Sequence, residues 1–152
     1  MQALLEKGIL RGMRGGRTWI RVALLVQLSC ASGGGSNDAE LVAESTATSS
    51  SGRLQVTART IDGEPPARGA NSFEIEIVRS DGGAATQSGI EAVTPWMPAM
   101  GHGTSARPTV AEIGEGRYRV DSVLLFMPGL WELRVSIAEP FEDDAAPRFQ
   151  IR

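Results

Sequence analysis

The chain has 152 residues, one cysteine and one histidine, a one-domain length with no possible intrachain disulfide. Its 15 Lys+Arg and 18 Asp+Glu are unevenly placed. Five bases and a single acid fall in the first 21 residues, so the remainder carries 10 bases against 17 acids, a formal −7. An acidic remainder is repelled by a phosphate backbone, which argues against a nucleic-acid partner.

Residues 1–30 predict a secretory signal. Lys7, Arg11, Arg14, Arg17 and Arg21 precede the apolar run Val22-Ala23-Leu24-Leu25-Val26-Gln27-Leu28, followed by small residues. A basic region, a short apolar run and a small-residue exit describe an export address. The run is shorter than the ~20 apolar residues needed to cross a bilayer. Translation from Met13 instead of Met1 gives a shorter leader of the same kind. Leu28-Ser29-Cys30 resembles a lipobox, with Gln27 where leucine is usual. Lipidation at Cys30 and ordinary cleavage are both open readings. The first supplies a membrane lipid anchor and places the chain in the periplasm or on a membrane surface.

Residues 31–52 are rich in Ser, Gly, Ala and Thr, a composition that predicts a flexible tether. The domain is expected over 53–152. Leu54, Val56 and Ala58 alternate with Gln55, Thr57 and Arg59, and Phe73, Ile75 and Ile77 alternate with Glu74, Glu76 and Val78. Each run reads as a strand with one wet face. Gly63-Glu64-Pro65-Pro66 and Asp81-Gly82-Gly83 read as turns.

Residues 95–104, Pro-Trp-Met-Pro-Ala-Met-Gly-His-Gly-Thr, read as a loop with chemistry. Met97, Met100 and His102 fall within six residues. Thioethers are soft ligands that suit Cu(I), and imidazole binds copper in either oxidation state. The same residues also fit a loop shaped by proline and glycine with no metal, since methionine fills irregular gaps. Trp96 and Trp131 are expected in the core. Glu139, Glu142, Asp143 and Asp144 lack the oxygen spacing of a calcium loop and read as a solvated connection.

Downstream, Tyr118, Val120, Ser122, Leu124 and Phe126 share one face, as do Trp131, Leu133, Val135 and Ile137. Met127-Pro128-Gly129-Leu130 between them predicts a hairpin. Its register sets Phe126 opposite Trp131, Leu124 opposite Leu133, Ser122 opposite Val135 and Val120 opposite Ile137. A last strand is expected over Arg148–Ile151. Six or seven short strands without a helix predict an all-β, Ig-like antiparallel β-sandwich.

Trp96-Met97-Pro98-Ala99-Met100-Gly101-His102-Gly103, then Gly116-Arg117-Tyr118-Arg119-Val120, then Phe126-Met127-Pro128-Gly129-Leu130-Trp131-Glu132-Leu133, resembles the YtkA-like/FixH-like domain. Asn71-Ser72-Phe73-Glu74-Ile75 fits that domain's early strand. The resemblance covers about 53–138 and implies an Ig-like sandwich of exported or membrane-anchored proteins. Some members handle copper or assist assembly of copper-containing respiratory oxidases. It marks Met97, Met100, His102 and Met127 as candidate ligands of Cu(I). It implies a copper-transport or oxidase-assembly protein as partner. An enzyme is not expected, because one histidine and no Ser/His/Asp set give no catalytic machinery. The alternative is a metal-free interaction module of the envelope.

Overall fold

The computed structural model describes residues 40–83 and 88–152. The expected signal, Cys30 and residues 31–39 of the expected tether lie outside the described residues. Ten strands and no helix occur among those described: β1 Glu44–Thr48, β2 Leu54–Thr60, β3 Gly69–Arg79, β4 Gly89–Met97, β5 His102–Gly103, β6 Thr109–Gly114, β7 Arg117–Leu125, β8 Gly129–Glu139, β9 Asp143–Ala145 and β10 Arg148–Ile151. They form two antiparallel sheets, ordered β1-β2-β3-β7-β6 and β10-β8-β4-β5, with β9 also pairing β8. The all-β sandwich expected from the sequence is therefore present, with more strands than the six or seven anticipated.

The alternation in β2 and β3 holds. Leu54, Val56, Ala58, Phe73, Ile75 and Ile77 are buried, while their neighbours reach the surface or its margin. They pack on Trp131, Leu133, Val135 and Ile137 of β8, on Val93 and Met97 of β4, and on Phe149 and Ile151 of β10. Phe73 and Phe149 meet across the sandwich with ring centroids 5.1 Å apart. Each such large apolar side chain contributes about 1.5–3 kcal/mol when fully buried, which is how a domain without a disulfide holds together.

Three expectations need correction. First, part of the expected tether is structured. β1 pairs with β2 through Glu44↔Arg59 to Thr48↔Gln55, and its small polar residues are carried by that pairing, not by apolar burial. Second, β7 and β8 are not a hairpin. β7 pairs β3 and β6, and β8 pairs β4, β9 and β10, so the chain changes sheets between Leu125 and Gly129. Trp131 faces Phe149, Leu133 faces Pro95 and Val135 faces Val93. Third, the buried face of β7 switches midway. Asp121 and Ser122 together oppose Ser72, and Ser122 takes φ 63°. This bulge moves the inward set from Tyr118 and Val120 to Val123 and Leu125, leaving Leu124 half-buried and Phe126 exposed. Asp121 anchors the bulge, accepting from Ser72 Oγ at 2.6 Å and Arg119 Nε at 2.8 Å.

The acidic stretch has a structural task. Asp143 accepts from Ser51 N at 3.1 Å and Ser51 Oγ at 2.6 Å, and Asp144 accepts from Ser50 Oγ at 2.7 Å. These bonds tie the β1–β2 turn to β9 of the other sheet. Burial pushes the Asp143 pKa up, but hydrogen bonds from the Ser51 and Ser49 side chains and from backbone N–H groups outweigh it and hold it below the ordinary carboxylate value. A depressed folded pKa stabilises above the unfolded value of about 3.9, and that stability is lost as pH falls through the folded value. Asp143→Ala is therefore expected to cost about 1–2 kcal/mol at pH 7. Its stability should also fall less steeply than wild type below about pH 4. Urea melts at pH 7 and pH 3 check both.

Candidate functional site

The four candidate ligands sit on two loops. Met97 ends β4 and pairs with His102 at the start of β5, so the expected loop is a tight hairpin of Pro98, Ala99, Met100 and Gly101. Met97 O accepts from both Met100 N at 3.1 Å and Gly101 N at 3.0 Å. Pro98 presets the first corner, and Gly101 closes the turn at φ 67°, a left-handed conformation glycine adopts without cost. Gly103 then lies against the Pro95 carbonyl oxygen, where a Cβ would collide.

The second loop is the crossover that carries Met127. Trp131 Nε1–H donates to Met127 O at 2.9 Å. Gly129, at φ 129°, lies against Met97 Cε, where a Cβ would overlap the methyl group. Phe126 lies parallel to His102, with centroids 6.5 Å apart and planes 9° off parallel, and meets Trp131 edge-on at 5.4 Å. The residues flanking Met127 thus touch Met97 on one side and His102 on the other, so the two methionine-bearing loops share one end of the sandwich.

Their side chains divide by depth. Met97 is buried in the core at 6% exposure, and Met127 is half-buried against that core. The crossover therefore does not leave Met127 as open as a hairpin turn would. Met100 is 55% exposed and His102 is exposed. His102 Nδ1 lies 3.2 Å from Gly103 O. A carbonyl oxygen only accepts, so Nδ1 is the donor in this contact and Nε2 is not engaged by it.

The tryptophans also part company. Trp131 is fully buried, as expected. Trp96 is half-buried on the outer face of its sheet, with the Arg134 guanidinium 4.3 Å from its ring centroid. Among the described residues no group of three His, Cys, Asp or Glu side chains is placed to hold a metal ion. Phe126 and Gly129 were not singled out as site residues by sequence reasoning. Their role depends on the change of sheet, for which the Pro128-Gly129 pair was the one available signal.

The YtkA-like family model matches residues 39–136, a span that runs from just before β1 into β8 and contains all four candidate ligands. The chain belongs to the YtkA-like family. Among curated proteins and solved structures none matches the chain.

Proposed function

We propose that this YtkA-like chain is an exported, lipid-anchored, non-catalytic envelope domain that carries Cu(I) on Met100 and His102, above the sulfurs of Met97 and Met127. The observation that carries this reading is the contact of the two methionine-bearing loops through Met97–Gly129 and His102–Phe126. It gathers soft donors from distant parts of the chain at one end of the fold. The donor chemistry fits: thioethers are neutral and suit Cu(I), and an imidazole nitrogen binds copper in either oxidation state. The copper is cargo, passed to a copper-transport or oxidase-assembly protein, with Cys30 as the lipid anchor.

Titration of the full chain with Cu(I) against a chromophoric chelator under reducing conditions tests the reading. One Cu(I) per chain is expected, with Met100→Ala and His102→Ala each weakening affinity about tenfold, or ~1.4 kcal/mol. Met97→Leu preserves volume, so weaker binding without a shifted melting point would assign Met97 as a ligand. Wild type that takes no copper from the chelator overturns the proposal.

A metal-free interaction module is the second reading. It is favoured by the exposure of Met100, Phe126 and Leu130 at 55%, 43% and 38% on and beside these loops, an apolar surface of the kind that binds a partner. Capture of an envelope protein that is lost in Phe126→Ser but unchanged by a copper chelator would select it.

A further inference from the structure

The three methionines among the described residues differ in what can reach their sulfurs. Met97 is 6% exposed, with its Cε against Gly129, and Met127 is half-buried against the core. Met100 is 55% exposed at the tip of the β4–β5 hairpin. Its turn neighbours Pro98, Ala99 and Gly101 are exposed as well, and a Cβ built on Gly101 meets nothing within 4 Å. The tip therefore stands clear of the sandwich, and a small solute reaches the Met100 sulfur without any part of the fold opening. Reaching the Met97 sulfur requires the core to open, and core elements open at a free energy that approaches that of global unfolding.

The turn does not depend on the Met100 side chain. It is closed by backbone bonds, Met97 O accepting from Met100 N at 3.1 Å and from Gly101 N at 3.0 Å, and by the Met97↔His102 pairing. A change at the Met100 sulfur leaves these bonds in place. Peroxides oxidise thioethers to sulfoxides. A sulfur lone pair attacks one peroxide oxygen, an S–O bond forms as the O–O bond breaks, and the second oxygen leaves as water. Sulfur gives up two electrons and the peroxide takes them. The product offers a hard oxygen where a soft sulfur stood, and Cu(I) selects soft donors.

We propose that Met100 is a peroxide-selective modification site, and that its sulfoxide, formed ahead of those of Met97 and Met127, turns off Cu(I) binding with the fold intact. The selectivity stands on exposure and turn geometry alone, whereas the loss of copper rests on the copper reading above, in which Met100 is a ligand. The modification is reversible, because methionine sulfoxide reductases, one for each sulfoxide epimer, restore the thioether.

The test treats the full chain with limiting hydrogen peroxide, removes the excess with catalase and divides the sample. Fragment-ion mass spectrometry after proteolysis is expected to find oxygen added to Met100 at least about tenfold faster than to Met97, with Met127 between them, and at similar rates in urea. The melting point should be unchanged. Cu(I) affinity, read by chelator competition, should fall about tenfold, and treatment with both reductases should restore it. Met100→Leu should lose affinity to the same extent and show no further loss on oxidation. Met97 or Met127 oxidised as fast as Met100 in the native chain overturns the modification site. An oxidised chain that keeps wild-type affinity overturns the switch and leaves copper binding standing. An unoxidised chain that takes no Cu(I) overturns the switch together with the copper reading, and the mass spectra still decide the modification site.

Discussion

Trp131→Ala is expected to destabilise the domain by about 3–5 kcal/mol, a large part of the ~5–15 kcal/mol that holds a typical domain folded. Trp131 is fully buried where the chain enters β8, at the foot of the crossover. Its loss opens a cavity, strands the Met127 carbonyl that its Nε1–H satisfies at 2.9 Å, and removes the edge contact that supports Phe126 at 5.4 Å. Trp131→Phe restores most of the volume but not the donor, so about 1–3 kcal/mol should still be lost. Trp96→Ala provides the contrast. That ring lies outside the core under Arg134, and such a contact contributes about 0.5–1 kcal/mol at an exposed site. Urea unfolding followed by far-ultraviolet circular dichroism measures all three. A Trp96→Ala loss as large as that of Trp131→Ala would mean that both rings are core residues and that the assignment of faces is wrong.

That difference between two tryptophans marks the limit of what the sequence carried. Period-two alternation made Leu54, Val56, Ala58, Phe73, Ile75 and Ile77 legible as inward residues, because a strand with one wet face writes its burial into its pattern. The same rule misread β7, since a bulge resets the alternation and Ser122 is not a residue type that announces a left-handed backbone. It also paired β7 with β8. Pro128-Gly129 and two apolar runs fit a hairpin and a change of sheet equally well, and the choice belongs to distant partners, Phe73 for Val120 and Phe149 for Trp131. Phe126 and Trp131 do touch, as the hairpin register required, but around a corner between sheets. In the candidate site, the grouping of Met97, Met100 and His102 was visible in the spacing. Their division into buried and exposed was not, because methionine serves in a core and on a loop alike. Met127 came to the site through the family resemblance. Its place beside the hairpin depends on Gly129, whose missing Cβ admits the Met97 methyl group.

Gly103→Ala is expected to cost about 1–3 kcal/mol as overpacking and to loosen β5 from β4. The new Cβ would strike the Pro95 carbonyl oxygen, a backbone atom fixed by the β4–β8 pairing, so the two-residue strand must yield. At Gly129 the obstacle is instead the far end of the flexible Met97 side chain, and the cost arises mainly from φ 129°. At Gly101 a Cβ meets nothing within 4 Å and only φ 67° opposes it, a strain of about 1–2 kcal/mol. Thermal melts of the three alanine variants measure these costs, at roughly 4–8 °C per kcal/mol for a small domain. The site reads them differently. Gly103→Ala moves His102, with the whole of β5, away from Met97, so Cu(I) affinity should fall along with stability. Gly101→Ala should lose stability and keep more of the affinity, because the Met97↔His102 pair that closes the hairpin survives. Copper affinity that follows the melting point identically in both variants would mean that the domain as a whole, and not the placement of His102 by Gly103, governs binding.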